Sequence, residues 1–351
     1  MGAGMKVLVT GNLGYVGSVL TPHLRRAFPN AEIVGFDAGY FSTCLTGASS
    51  APERVLDAQY FGDMREFPET LLRDVSAIVH LAAISNDPIG NVFGRVTEEV
   101  NGGATASLAR LAKTAGVRKF ILASSCSVYG CAENKPRTEE SEVAPLTAYA
   151  RSKVDSENDL HTIAAANFQI TCLRFPTACG WSDRTRLDLV LNDFVASALV
   201  TGCIEVLSDG TPWRPLIDVR DMVRAIEWAL REPTDAFLLL NAGRSDCNFT
   251  VKQLATKVSE ICGVPLKINA NAAPDNRSYQ VDFSRFERLA PRYVPRFTLD
   301  SVVNDLREGM PRIANLKDDF RNSPYVRLWQ LRKLQQEGLL DDNLRWTHLA
   351  D

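Results

Sequence analysis

Between residues 6 and 175, short apolar runs alternate with longer segments in which apolar positions recur at helical spacing. The runs at 6–11 (KVLVTG), 32–37 (EIVGFD), 77–83 (AIVHLAA), 119–125 (KFILASS) and 168–175 (FQITCLRF) carry little polar alternation. Strands of that kind are buried on both faces. The segments 17–28, 102–116 and 148–166 predict helices between them. Strands that alternate with helices build a parallel sheet covered on both sides, and right-handed crossovers make it doubly wound. The predicted fold class is therefore α/β.

The rhythm changes after Phe175. A helix is predicted over 186–202, two short strands around a turn over 203–218, and a further helix over 251–263. These make a smaller α+β lobe over the sheet's C-terminal edge, with 237–241 returning to the main sheet. The segment 323–346 reads as a helix with Leu and Trp on one face, which either caps the core or meets a second subunit. The domain division expected is 1–180, 181–315 and a helical tail 316–351.

Composition narrows the class. With 45% hydrophobic and 23% charged residues over 351 positions, the chain falls among ordinary globular proteins. A net charge of −3 favours neither nucleic acid nor an anionic membrane as partner. No apolar run reaches the ~18 residues of a membrane span. No charged segment followed by an apolar one marks a signal peptide at the start. The eight cysteines form no C-x-x-C pair, and His23, His80, His161 and His348 lie far apart. A reduced, cytoplasmic enzyme without a metal site is the expectation.

Candidate chemistry lies at two places. In "VTGNLGYVG", Gly11, Gly14 and Gly17 follow the first strand and open the first helix, flanking Tyr15 and Val16. Such a loop lets backbone approach a pyrophosphate at a helix N-terminus. Asp37 ends the second strand about 20 residues later, where an acid bonds an adenosine ribose. Its charge repels a 2′-phosphate and no Arg follows it, so NAD is expected rather than NADP. The second place is "YARSK", which puts Tyr149 and Lys153 on one face of a helix. A Lys beside a phenol lowers its pKa and readies it for proton exchange with an alcohol. Ser125, at a neighbouring strand tip, is positioned to bond the same oxygen.

In this combination the sequence resembles the extended short-chain dehydrogenase/reductase family of NAD-dependent nucleotide-sugar epimerases and dehydratases, from about Lys6 to Asp282. The resemblance implies a Rossmann-like sheet, NAD as cofactor, a nucleotide-diphosphate sugar as substrate and a homodimer. It assigns Gly11, Gly14, Gly17 and Asp37 to the NAD loop and Asp63 to the adenine. Leu81, Ala82 and Ala83 of "HLAA" run along the nicotinamide ribose, and Asn101 and Ser124 join the cofactor set. Ser125, Tyr149 and Lys153 match the catalytic Ser/Thr, Tyr and Lys, which oxidise a sugar hydroxyl, usually at C4. Arg214 and Arg277 match two diphosphate-binding arginines, and Asn192 begins a helical segment over the substrate as a candidate contact to the nucleotide. Thr177 stands where the family commonly has Asn. Ser85 and Asn86 either line the sugar site or begin a helix.

The strand tip bears on the reaction. The family's 4,6-dehydratases carry an Asp–Glu pair after the catalytic Thr, whereas this chain has Cys126 and Ser127. Neither is a competent acid for expelling hydroxide, so dehydration is disfavoured. Cys126 is either packing or, through a bulge, an acid/base. What remains is epimerisation through a 4-keto intermediate, with net 4-dehydrogenation or 4-ketoreduction as the alternative. A non-catalytic NAD-binding protein is the reading from another class.

Overall fold

The computed structural model describes residues 4–131, 135–232, 235–269, 271–272, 277–313, 316–317 and 319–347. Its first half contains β1 (Lys6–Thr10), α1 (Gly17–Ala27), β2 (Glu32–Asp37), β3 (Ala58–Phe61), β4 (Ala77–His80), α2 (Asp87–Val92), α3 (Gly94–Glu98), α4 (Ala104–Thr114), β5 (Lys119–Ser125), α5 (Ala148–Ile163) and β6 (Gln169–Phe175). There follow β7 (Thr177–Cys179), α6 (Val190–Thr201), β8 (Ile204–Val206), β9 (Trp213–Asp218), α7 (Val219–Arg231) and β10 (Phe237–Asn241). The chain ends with β11 (Asn248–Thr250), α8 (Val251–Cys262), β12 (Leu266–Ile268), α9 (Ser284–Leu289), α10 (Leu299–Gly309) and α11 (Arg327–Gln336).

Seven strands form one sheet in the order β10-β6-β5-β4-β1-β2-β3, with every neighbouring pair parallel. The apolar strands are buried on both faces as the sequence requires. Leu8 of β1 joins a cluster with Leu108 and Leu160 under α4 and α5, while Val7 and Val9 join Leu20, Leu24 and Ile226 under α1 and α7. This is a Rossmann-like doubly wound sheet. All its strands end along one edge, and the order turns back between β1 and β4, where such sheets open a ligand crevice.

β10 does return to the main sheet, against β6. Sequence reading missed β3 and α7. β3 is half-exposed and lacks an apolar run, while α7 follows β9 with no intervening turn signal. The strands predicted over 203–218 exist but do not pair with each other: β8 pairs β12, and β9 lies between β7 and β11. A third core, built by α6, α8 and α10, fills the lobe.

The tail helix is shorter than predicted. α11 stops at Gln336, and Gly338, at φ 72°, turns the chain back so that Leu340 bridges Trp346. Leu331, Leu334, Leu340 and Leu344 are buried in the core beneath α4 and α5, so the segment caps the core. No helix among the described residues is long and apolar enough to cross a membrane. No group of three or more His, Cys, Asp or Glu among them could hold a metal ion, and His348 lies outside the described residues.

Candidate active site

A cavity of about 700 Å3 runs along the C-terminal edge of the sheet, from Asp37 past the glycine loop to Tyr149 and on to Arg214. Its cofactor end is made by close backbone approaches. A Cβ on Gly11, at φ +73°, would lie 2.5 Å from the Ala82 nitrogen, and one on Gly17 would lie 2.4 Å from the Asn12 carbonyl oxygen. Any side chain there would push β1, β4 and α1 apart. Gly14, Tyr15 and Val16 complete the wall, and the Tyr15 hydroxyl donates to the Gly180 carbonyl at 2.8 Å.

Asp37 accepts from Gly39 N at 2.7 Å and from Leu13 N at 2.9 Å, so its carboxylate also pins the glycine loop. Burial pushes its pKa up, against the pull of those two amides and the charge of Arg184. Asp63 lies on the same wall, held by Arg65 with Nη2 to Oδ2 at 2.5 Å. Leu81, Ala82 and Ala83 line the floor beyond β4. The open glycine turn, the helix N-terminus and the half-buried acid at the strand end fit a dinucleotide. Replacing Asp37 with Ser is expected to weaken NAD binding about ten- to hundredfold, the worth of hydrogen bonds to a charged acceptor, and to narrow the gap between NAD and NADP. Titration calorimetry with both dinucleotides tests this, and an unchanged ratio would remove the role.

The catalytic candidates converge where β5 meets α5. Ser125 caps a 3-10 turn over Cys126–Tyr129 by accepting from Ser127 N at 3.1 Å, and its side chain hydrogen-bonds Tyr149. Lys153 Nζ lies 5.8 Å from the Tyr149 ring centroid and donates to the Ala123 carbonyl at 2.9 Å. Burial pushes the Tyr149 phenol up to about 12, the Ser125 bond opposes that, and Asp87 and Arg186 act with and against it. Burial lowers Lys153 to about 8. In this geometry the Lys153 ammonium donates to a carbonyl while lying over the Tyr149 ring, and Arg186 is a further cation that opposes the effect of burial on the phenol.

The 3-10 turn decides Cys126. It is fully buried, its thiol facing the Arg174 carbonyl at 3.3 Å, and burial raises its pKa far out of reach of proton transfer. It packs with Val128, Tyr279 and Phe283 behind the cavity wall. Ser127 lines the cavity instead, and its hydroxyl oxygen is buried without a hydrogen-bond partner. Ser124 reaches the wall, but its hydroxyl donates to Glu157 Oε1 at 2.5 Å.

Two further sequence candidates stand outside the wall. Asn101 lies in a π-helical turn at Glu99–Gly103, which re-aims side chains within a helix. It clasps Ile84 through N–H and C=O and donates to Ser152 Oγ at 3.1 Å, bracing the floor against the Tyr149 helix. Asn192 is buried and spends its amide on Gly180 and the Arg186 carbonyl.

At the far end, Thr177 lines the wall from β7. Arg214 donates to the Arg277 carbonyl, and Arg277 Nη1 pairs with Asp87 Oδ2 at 2.8 Å. Asn86 serves both readings, since it lines the cavity and also caps α2 by accepting from Ile89 N at 3.0 Å. It has φ +90° and donates to Asp188 at 2.7 Å. Sequence reasoning missed Asp188 and its partner Arg186, which are 2.9 Å apart and lie beside Ser85, to which Arg186 donates at 3.1 Å. They sit just before α6, in a stretch read as helix, so no periodicity marked them.

A Rossmann-like sheet with a dinucleotide cradle and a Ser–Tyr–Lys set defines a nucleotide-dependent enzyme of the short-chain dehydrogenase/reductase type. The chain belongs to the NAD dependent epimerase/dehydratase family, whose sequence profile matches residues 7–242. Its cofactor is NAD. It is 26% identical over 313 residues to a UDP-glucose epimerase of Bacillus subtilis strain 168, YtcB, described as uncharacterized, covering 86% of this chain and 97% of that one. It is 29% identical over 332 residues to UDP-glucuronic acid decarboxylase 6 of Arabidopsis thaliana, covering 90% and 89%. Among solved structures, MoeE5 in complex with UDP-glucose and NAD superposes with a TM-score of 0.73 at 25% identity, over 88% of this chain and 99% of that one.

Proposed function

We propose that the protein binds a nucleotide-diphosphate sugar, oxidises it at C4 and reduces the resulting ketone from the other face, a 4-epimerisation. The observation that carries this reading is the Ser125–Tyr149 pair in a cavity whose described acids at the substrate end, Glu205 with Lys267 included, are each held by a cation. Asp87 pairs with Arg277, Asp188 with Arg186 and Asp193 with Arg321. Tyr149 takes the C4 hydroxyl proton, and Ser125 orients that oxygen. NAD, when bound, accepts and returns the hydride. Ser127 offers its unpartnered hydroxyl to a second sugar hydroxyl. Arg214 and Arg277 supply the forked donors that suit a diphosphate. No unpaired carboxyl stands at 126–127 to protonate a departing hydroxide, which speaks against dehydration.

The names of the relatives support a UDP-sugar as the substrate class, and the UDP-glucose 4-epimerases among them support the C4 position. Net 4-dehydrogenation or 4-ketoreduction is the second reading, because the same residues perform its single hydride step. A homodimer and a cytoplasmic setting belong to the same proposal. Incubation of the enzyme with UDP-glucose and UDP-glucuronic acid, followed by mass spectrometry and NMR of the product, tests the reading. A product of unchanged mass with inverted C4 is expected. Loss of two hydrogens would favour the dehydrogenase, and loss of water or carbon dioxide would overturn the proposal.

A further inference from the structure

The segment after residue 316 lies outside the part of the chain that matches the family, yet it reaches the cofactor end of the cavity. Arg327, the first residue of α11, lines that cavity while being only 2% exposed. Its guanidinium stacks on the Phe41 ring at 4.6 Å and donates through Nη2 to the Arg184 carbonyl at 2.8 Å. Nη1 is buried without an oxygen acceptor among the described residues, and the group beside the guanidinium is the weakly accepting thiol of Cys44. A buried guanidinium nitrogen without an acceptor costs free energy unless something else supplies one. Stacking uses the face of the group and leaves its edge available.

The position identifies the acceptor. Phe41 lies four residues beyond Asp37, the acid at the ribose end, and both line the cavity. On its other side Arg327 feels the charges of Asp188 and Arg186, next to Ser85 and Tyr149. Between an adenosine ribose at Asp37 and a reactive ring at Tyr149, a dinucleotide carries its pyrophosphate. The glycine loop supplies backbone N–H groups there but no charge. Among the other cavity-wall arginines, Arg186 is held by Asp188 and Arg321 by Asp193, while Arg214 and Arg277 stand at the far, substrate end.

We propose that Arg327 of the C-terminal segment binds the pyrophosphate of NAD, so that this segment completes the cofactor site. The rest of the segment is anchored to the adenosine end. Trp346 donates to the Ala38 carbonyl at 2.6 Å and lies 5.8 Å from the Tyr40 ring, and the Tyr40 hydroxyl donates to Leu344 O. Burial lowers the Arg327 pKa to about 10, which leaves it protonated at neutral pH.

The inference rests on NAD as cofactor and not on which sugar reaction follows. The test uses full-length protein freed of bound nucleotide, with NAD, ADP and adenosine titrated by calorimetry into wild type, Arg327→Met and Arg327→Lys. Arg327→Met is expected to weaken NAD and ADP about ten- to hundredfold while adenosine binding is unchanged, since only the first two carry the pyrophosphate. Arg327→Lys keeps the charge without the fork and should fall between them. It also keeps the experiment decisive if the Met variant does not fold. Equal ADP affinity in wild type and variants would overturn the proposal. So would intact ADP affinity with a raised KM for the sugar nucleotide, which would move Arg327 to the substrate. A wild type that binds no NAD would instead refute the cofactor assignment.

Discussion

Tyr149→Phe is expected to lower turnover by a factor of about 10²–10⁴ or more, the usual weight of a positioned general acid–base, while NAD affinity stays within about twofold. The substitution deletes one oxygen and keeps the ring. The glycine cradle, Asp37 and the Lys153 bond to Ala123 are therefore untouched. The lost group is the one Ser125 holds, and no other phenol replaces it. Of the other phenols on the wall, Tyr15 and Tyr40 spend their hydroxyls on the Gly180 and Leu344 carbonyls, and burial pushes the Tyr279 phenol far above its ordinary range. Steady-state kinetics with the sugar nucleotide, alongside nucleotide titration, separates the two effects. Unchanged turnover would sink the assigned mechanism and favour a non-catalytic NAD-binding role.

Arg174→Met should destabilise the protein by about 3–5 kcal/mol, the cost of stranding a buried charge. Arg174 and Glu157 are each about 4% exposed, with Nη2 and Oε2 2.6 Å apart. Glu157 also accepts from Ser124 at 2.5 Å, and Arg174 Nη1 donates to the Tyr129 hydroxyl at 3.0 Å. This network ties α5 to β5 and β6 one turn beyond Lys153, so its loss also loosens the helix that carries Tyr149. Removing Glu157 as well, in an Arg174→Met/Glu157→Leu double variant, should recover much of the loss, because a buried pair replaced by apolar groups is often neutral. Urea unfolding measures both. A single variant as stable as wild type would show that water already reaches the pair.

The chemistry that depends on neighbours along the chain was legible without coordinates. Gly11 and Gly17 follow a strand and open a helix, and Tyr149 and Lys153 are one helical turn apart, so spacing alone joins them. The apolar runs announced a parallel sheet because strands buried on both faces cannot alternate. Local patterns fell short where a single residue changes direction. Cys126 packs, one of the two readings its strand position allowed, but it does so because the chain leaves β5 in a 3-10 turn that buries the thiol and hands Ser127 the cavity. The tail read as one long helix, but Gly338 folds it back.

Other features belong to the packed molecule alone. Arg186 and Asp188 work as a pair only because α6 begins after them and the loop turns into the cavity. Arg327 meets Arg184 across 143 positions of sequence. No periodicity joins residues so far apart, since periodicity records which face of one element is buried and not which elements meet. The order of seven strands and the burial of their helices bring the tail over the cofactor cradle, and burial is what leaves one guanidinium edge without an oxygen acceptor. The sequence carried the strands, the cradle and the candidate proton-transfer residues as local patterns, whereas the identity of the cations around the cavity was decided by long-range packing.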